Sequence, residues 1–352
     1  MPRQSTDSDE SQRRELQYRA RIITHSGFEK GRVRASGGLV KLCQYYTSDE
    51  QRDVDLSRRI PWEARVGLVV HQHVVPVTNC VDPSDTTLGL PLATKLVEWL
   101  ESRSAWARLA DWASRHPTGG LSVTDVYMGP PLLRPSALLC FHGFEEHAKM
   151  VAGFRGTDVA AEWYDQPVYY SGNSTALYGH GQRVPFPRGE AQMDFELTIA
   201  CVIGRRCRNV PLERAGEYIC GYCLMNDWSA RAAQARGQKI GMGPGCGKDH
   251  ATSLGPCLVS KDEIEDIRDL KLRALVNGES WCETHCGQPR YSFEEMITIA
   301  SKCRTLYPGT VISSGAVDGG SGLAHGRFLQ EGDTVTLEAE DLGVLVNTIY
   351  VE

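Results

Sequence analysis

Two apolar runs near the middle of the chain, FELTIACVI (Phe195 to Ile203) and YICGYCLMN (Tyr218 to Asn226), have strand length and are rich in β-branched, aromatic or small residues. Both are predicted as buried strands. In the first, the two-residue period of a strand sets Asp194, Glu196 and Thr198 on one face and Phe195, Leu197 and Ile199 on the other. A carboxylate in so apolar a run needs a partner. The second run leads into NDWSAR, where Asp227 and Arg231 stand four apart, as on the first turn of a helix, so that Asp227 can face Glu196.

Upstream, RARIITHSGFEKGRVRASGGLV and PWEARVGLVVHQHVVPVTNC alternate like strands around glycine-rich turns. Leu92 to Arg115 carries Leu92, Leu96, Trp99, Leu100, Trp106, Leu109 and Trp112 at the spacing of one or two amphipathic helices, broken near Ser102 to Ser104. The proline-rich end of LSVTDVYMGPPLLRP marks a boundary near Pro130 to Pro135. The expected organisation is a polar, disordered leader at 1–17, an N-terminal α+β domain at 18–134 and a catalytic domain at 135–352. The last opens with an apolar strand, Ala137 to Phe141, running into a helix that carries His147. DQPVYYSGNSTALYGHGQRVPFP then reads as an ordered loop, VNGESWCETHC as a hairpin and SFEEMITIASKCRTL as a helix. The glycine-rich GMGPGCGKDH is no phosphate-binding loop, because no Ser or Thr follows Lys248 and no strand leads into it.

Composition narrows the partners. The 352 residues are 41% hydrophobic and carry a net charge of −6 without a long basic run, which excludes a nucleic-acid or membrane-surface protein. No apolar stretch approaches the ~20 residues that span a bilayer. A small-molecule partner is expected. Of 12 cysteines, Cys140, Cys201, Cys220, Cys223 and Cys257 sit inside apolar runs, where free cysteine packs as a small hydrophobe, so the chain reads as a reduced, cytoplasmic protein. Cys220 and Cys223 on one strand would point to opposite faces, which disfavours a zinc site with Cys282, His285 and Cys286. His71 and His73 share a face of their strand and are expected to face solvent rather than a metal.

FELTIACVIG followed by NDWSARAAQ resembles the core of the fumarylacetoacetate hydrolase superfamily. GPGCGKDHATSLGP, VNGE, TLYPGTVISSG and FLQEGDTVTLEAEDLGVLVNTI follow in the family's order, over roughly residues 138 to 350. The resemblance implies an α+β, mostly β chain, with a mixed β-sheet roll or sandwich behind the small N-terminal domain, assembled as a homodimer. It implies His147 as the histidine that activates water, Arg231, Gln234 and Lys248 as donors to substrate oxygens, and Tyr170 beside the reacting oxygens. Tyr169, His142 and Ala316 are expected as further substrate contacts. It also implies a Mg²⁺-type ion, with Mn²⁺ or Ca²⁺ as alternatives, held by Glu196 and Asp227 with Thr198 at a third ligand position. Such an ion would hold a 1,3-dicarbonyl or 2-oxo acid as its enolate.

The chain departs from the family's pattern where the acid–base chemistry lies. Thr198 replaces a second glutamate, Cys140 an aspartate and Met150 a glutamate three residues after the histidine, and Ala316 replaces a threonine of the SGT turn. VDGGSGLAHGRF offers no evident replacement acid for His147, and neither Glu145 nor Glu146 stacks on it. A hydroxyl and a thiol are poor ligands for a hard cation, so weakened metal binding, or none, is expected. Asp194 shares the face of Glu196 but lies ~6–7 Å along the strand. The leading expectation is hydrolytic cleavage of a carbon–carbon bond. The alternative is a decarboxylase, dehydratase, isomerase or cyclase using the same pocket. A catalytically silent scaffold is third, opposed by the joint presence of His147, Arg231, Gln234 and Lys248.

Overall fold

The computed structural model describes residues 41–47, 65–77 and 80, scattered positions between 106 and 116, and 119–352 apart from 288. The expected leader and the RARIITH segment lie outside these residues. Both central runs are strands, Glu196–Ile203 and Ile219–Asn226, paired antiparallel with Leu197 opposite Asn226. Their period decides what each face does. Phe195, Leu197, Ile199, Cys201 and Ile203 enter the main core, while Ala200 and Val202 enter a second cluster on the other face. Glu196 and Thr198 begin that second face, so the polar site is the end of an otherwise apolar surface.

The pair lies inside a 12-stranded mixed sheet. Thr310–Ser321 flanks Glu196–Ile203, and Thr252–Ser260 flanks Ile219–Asn226. Ala137–Phe141 runs parallel to Thr310–Ser321, and Tyr169–Gly172 closes that edge. A second sheet holds five strands, among them Lys271–Val276, Thr334–Ala339 and Gly343–Val351. Leu272, Leu337 and Ile349 from this sheet meet Phe195, Leu197 and Ile199 in one core, each fully buried side chain contributing about 1.5–3 kcal/mol. The result is a mostly β sandwich, as expected.

Local signals act where they stand. Asn277 and Gly278, at φ 51° and 84°, make the left-handed turn of the hairpin between Lys271–Val276 and Glu279–His285. Ser292 and Glu295 form a reciprocal cap on the helix Phe293–Cys303.

The described N-terminal strands extend the same large sheet. Lys41–Tyr46 pairs with Thr252–Ser260 on one side and with Arg65–Val70 on the other. The sheet therefore runs across the boundary expected after residue 134. Trp106, Leu109 and Trp112 are helical and pack on the second cluster; the earlier part of that expected helix lies outside the described residues.

Two readings of face are corrected. His71 sits in a turn at φ 52° between Arg65–Val70 and His73–Pro76, so it does not share a strand face with His73. Cys220 is the extra residue of a bulge, Val202 pairing with Gly221 and Ile203 with Ile219. The bulge reverses the parity of the strand and brings Cys220 and Cys223 to the same cluster instead of opposite faces.

Candidate active site

Residues 227–230 are extended rather than helical, because Ser229–Ala230 pairs with Met193–Asp194. The helix starts only at Arg231 and runs Arg231–Lys239. Asp227 and Arg231 therefore diverge instead of stacking on one helical turn, and each finds another partner. Arg231 donates from Nε and Nη2 to Asp194 Oδ2 at 2.8 and 2.6 Å, and its Nη1 lies 2.8 Å from Glu196 Oε1 and 3.1 Å from Gln234 Oε1. Asp194 also accepts the backbone N–H groups of Phe195, Gly322 and Leu323. It is fully buried and anchors Arg231, a role its distance along the strand from Glu196 concealed.

Lys248 bridges the other carboxylates. Its Nζ lies 2.8 Å from Glu196 Oε2 and 3.2 Å from Asp227 Oδ2, and donates to the Asp227 carbonyl at 3.1 Å. The glycine before it explains how lysine gets so deep. A Cβ on Gly247 would fall 2.4 Å from Gln234 Cβ and 2.5 Å from the Ala230 carbonyl oxygen and the Gln234 nitrogen, so only glycine lets this loop lie against the helix. Gly247→Ala is expected to lower stability by about 1–3 kcal/mol and to withdraw Lys248 from Glu196. A thermal melt beside a turnover assay checks it; an unchanged melting temperature contradicts the close approach.

Burial would raise the Glu196 carboxyl, but Lys248 and then Arg231 outweigh it and hold Glu196 well below the usual carboxylate range. For Asp227, burial together with the charge of Glu196 prevails over Lys248, and its carboxyl is raised. His147, near the start of the helix Glu145–Phe154, places Nε2 3.6 Å from Glu196 Oε1. Its Nδ1 is buried with no hydrogen-bond partner among the described residues. Asp318, from VDGGSG, accepts the His147 backbone N–H at 3.3 Å and does not orient the imidazole.

The remaining expected residues divide by strand parity. Tyr170 donates its hydroxyl to Asp227 Oδ2 at 2.6 Å and sits opposite Cys140. Tyr169, one residue earlier, turns to the other face and packs on Phe141 at 4.8 Å, away from the carboxylates. The His142 ring stands 5.2 Å from that of His147; burial, then the neighbouring His147, pushes it down to about 3, so it is neutral at neutral pH. Ala316 is the cross-strand partner of Thr198, and the Thr198 hydroxyl is turned back to the Glu196 carbonyl at 3.0 Å.

One further charged group lies close enough to the site to feel its field. Arg155, at the C-cap of the His147 helix, is exposed, yet burial of part of its side chain and then the charge of Arg231 lower its pKa. It makes no ion pair among the described residues, and a lone arginine after a helix gives no sequence signal of where it points.

The donor set tests the expected ion. Three of the four side-chain oxygens on Glu196 and Asp227 are taken by Arg231, Lys248 and Tyr170; Asp227 Oδ1 alone is buried without a partner. Cys140 offers a buried thiol and Thr198 a hydroxyl already directed elsewhere. A hard dication takes roughly six oxygens. No cluster of three or more His, Cys, Asp or Glu suited to a metal occurs among the described residues. These residues do not fit a resident divalent ion.

A family model for the fumarylacetoacetate (FAA) hydrolase C-terminal region matches residues 138–350. The mitochondrial oxaloacetate tautomerase FAHD2A of Bos taurus is 30% identical over 263 residues, 73% of this chain and 80% of that protein. The oxaloacetate tautomerase YisK of Bacillus subtilis is 29% identical over 251 residues, 69% of this chain and 80% of that one. Maleylpyruvate hydrolase from Sphingobium sp. SYK-6, solved with manganese(II) and pyruvate, shares the fold at a TM-score of 0.64 and 17% identity, covering 88% of this chain and 99% of that one. The family match spans more than half of the chain, and the chain belongs to the fumarylacetoacetate hydrolase superfamily.

Proposed function

We propose that this enzyme interconverts the keto and enol forms of a small 2-oxo acid, rather than hydrolysing a carbon–carbon bond. The observation that carries the reading is the state of His147: a buried imidazole beside a clamped carboxylate, with no acid on Nδ1. Activation of water by histidine relies on a third group that orients the ring and stabilises its charge. A proton shuttle between carbon and oxygen of one substrate asks less: one base in reach and a positive field for the enolate. Relatives named as oxaloacetate tautomerases support this order of preference.

In this reading His147 takes the proton from the carbon beside the ketone. The electron pair of that C–H bond becomes the enolate, and the same proton returns to the enolate oxygen. Lys248 and Arg231 supply the positive potential that lowers the enolate's energy, while Asp194 and Gln234 position Arg231.

Proton exchange at the carbon beside the ketone of oxaloacetate in D₂O, read by NMR, tests the assignment. Enzyme-dependent exchange without ¹⁸O from water entering a new carboxylate is expected. Cleavage with ¹⁸O incorporation overturns the tautomerase and restores the hydrolase. His147→Gln is expected to slow exchange by about 10²–10⁴-fold with the fold intact by circular dichroism; an unchanged rate removes His147 from the chemistry.

A further inference from the structure

The place where Glu196 and Asp227 converge is already filled by a cation of the chain itself. Lys248 Nζ spends its donors on Glu196 Oε2, Asp227 Oδ2 and the Asp227 carbonyl, and it is 3% exposed. Arg231 closes Glu196 from the other oxygen. Around this centre the charges nearly balance: Asp194, Glu196 and Asp227 face Lys248 and Arg231. A dication entering between the two carboxylates would meet the ammonium at close range and gain a single uncommitted anionic oxygen, Asp227 Oδ1.

We propose that this chain works without a resident divalent cation, which leaves the Lys248 ammonium as the fixed positive charge between Glu196 and Asp227. Cys140 and Thr198 are the two positions that withhold the ligands an ion would need. The Cys140 thiol lies beside Tyr170 and Asp227 and is a soft donor that a hard cation passes over. The Thr198 hydroxyl is neutral and turned to its own strand. The inference rests on the site geometry and concerns the ion alone; its test needs no substrate, so it stands or falls separately from the tautomerase reading.

The measurement is Mn²⁺ uptake by the full-length protein, followed as loss of the free-ion signal in electron paramagnetic resonance. The parent and Glu196→Gln are expected to take up no different amounts at up to ~1 mM Mn²⁺, a weak limit for an oxygen-ligand site. One equivalent bound by the parent and missing from Glu196→Gln overturns the proposal. A Cys140→Asp/Thr198→Glu variant returns two carboxylates to the centre and is expected to bind at least about 100-fold more tightly than the parent. Thr198→Glu alone serves if circular dichroism shows the double variant unfolded. Folded variants that bind no better than the parent overturn the assignment of Cys140 and Thr198 as the barrier.

Discussion

Arg231→Leu loses about 3–5 kcal/mol of stability, the largest effect expected from any single change at the site. The guanidinium joins the Met193–Asp194 bridge, the strand bearing Glu196 and the helix that it begins. Removing it leaves Asp194 fully buried with three backbone N–H groups as its only donors among the described residues, and leaves Glu196 dependent on Lys248 and His147. A buried carboxylate stripped of its counter-charge is far more costly than a missing pair. Adding Asp194→Asn to the variant should therefore recover part of the loss, with a coupling of about 0.5–3 kcal/mol in urea unfolding. A single variant as stable as the parent would show that the fork is dispensable.

The second large effect is on rate. Lys248→Met should lower kcat by about 10²–10³-fold, the loss seen when one preorganised charge is taken from a developing oxyanion. Methionine nearly matches lysine in length, so the loop held by Gly247 keeps its course and the change reads the ammonium rather than the packing. Mn²⁺ in the assay should not restore the rate, because Cys140 and Thr198 still withhold the oxygen ligands a hard cation needs even with Glu196 Oε2 released. Turnover that survives the substitution, or that Mn²⁺ rescues, removes Lys248 from its role as the fixed charge. The two variants separate the cations: Arg231 chiefly holds the architecture, and Lys248 the field.

Much of this protein was legible along the chain. Strand length and two-residue alternation set Phe195, Leu197 and Ile199 apart from Glu196 and Thr198, and the observed faces agree. Asn277-Gly278 specified a hairpin and Ser292 with Glu295 a helix start, since turns and caps are written in a few adjacent residues. Family motifs named the residues that crowd the centre, Glu196, Asp227, Arg231, Lys248 and His147, because their order along the chain is itself a pattern.

What the sequence alone determined stops where contacts become non-local. It set which residue types are present and which local elements they favour, but a pairing between distant strands decided the rest. The bridge of Met193–Asp194 with Ser229–Ala230 delayed the helix to Arg231 and sent that side chain to Asp194 instead of Asp227. A bulge opposite Val202 moved Cys220 to the face of Cys223, although local parity pointed the other way. Tyr169 and Tyr170, equivalent as neighbours in sequence, were separated by the register with Cys140 and Phe141. The commitment of nearly every carboxylate oxygen at Glu196 and Asp227 is likewise a property of five segments meeting. Side-chain direction follows from register, and register is fixed by whole sheets burying their apolar faces together, a free energy no single stretch of chain carries.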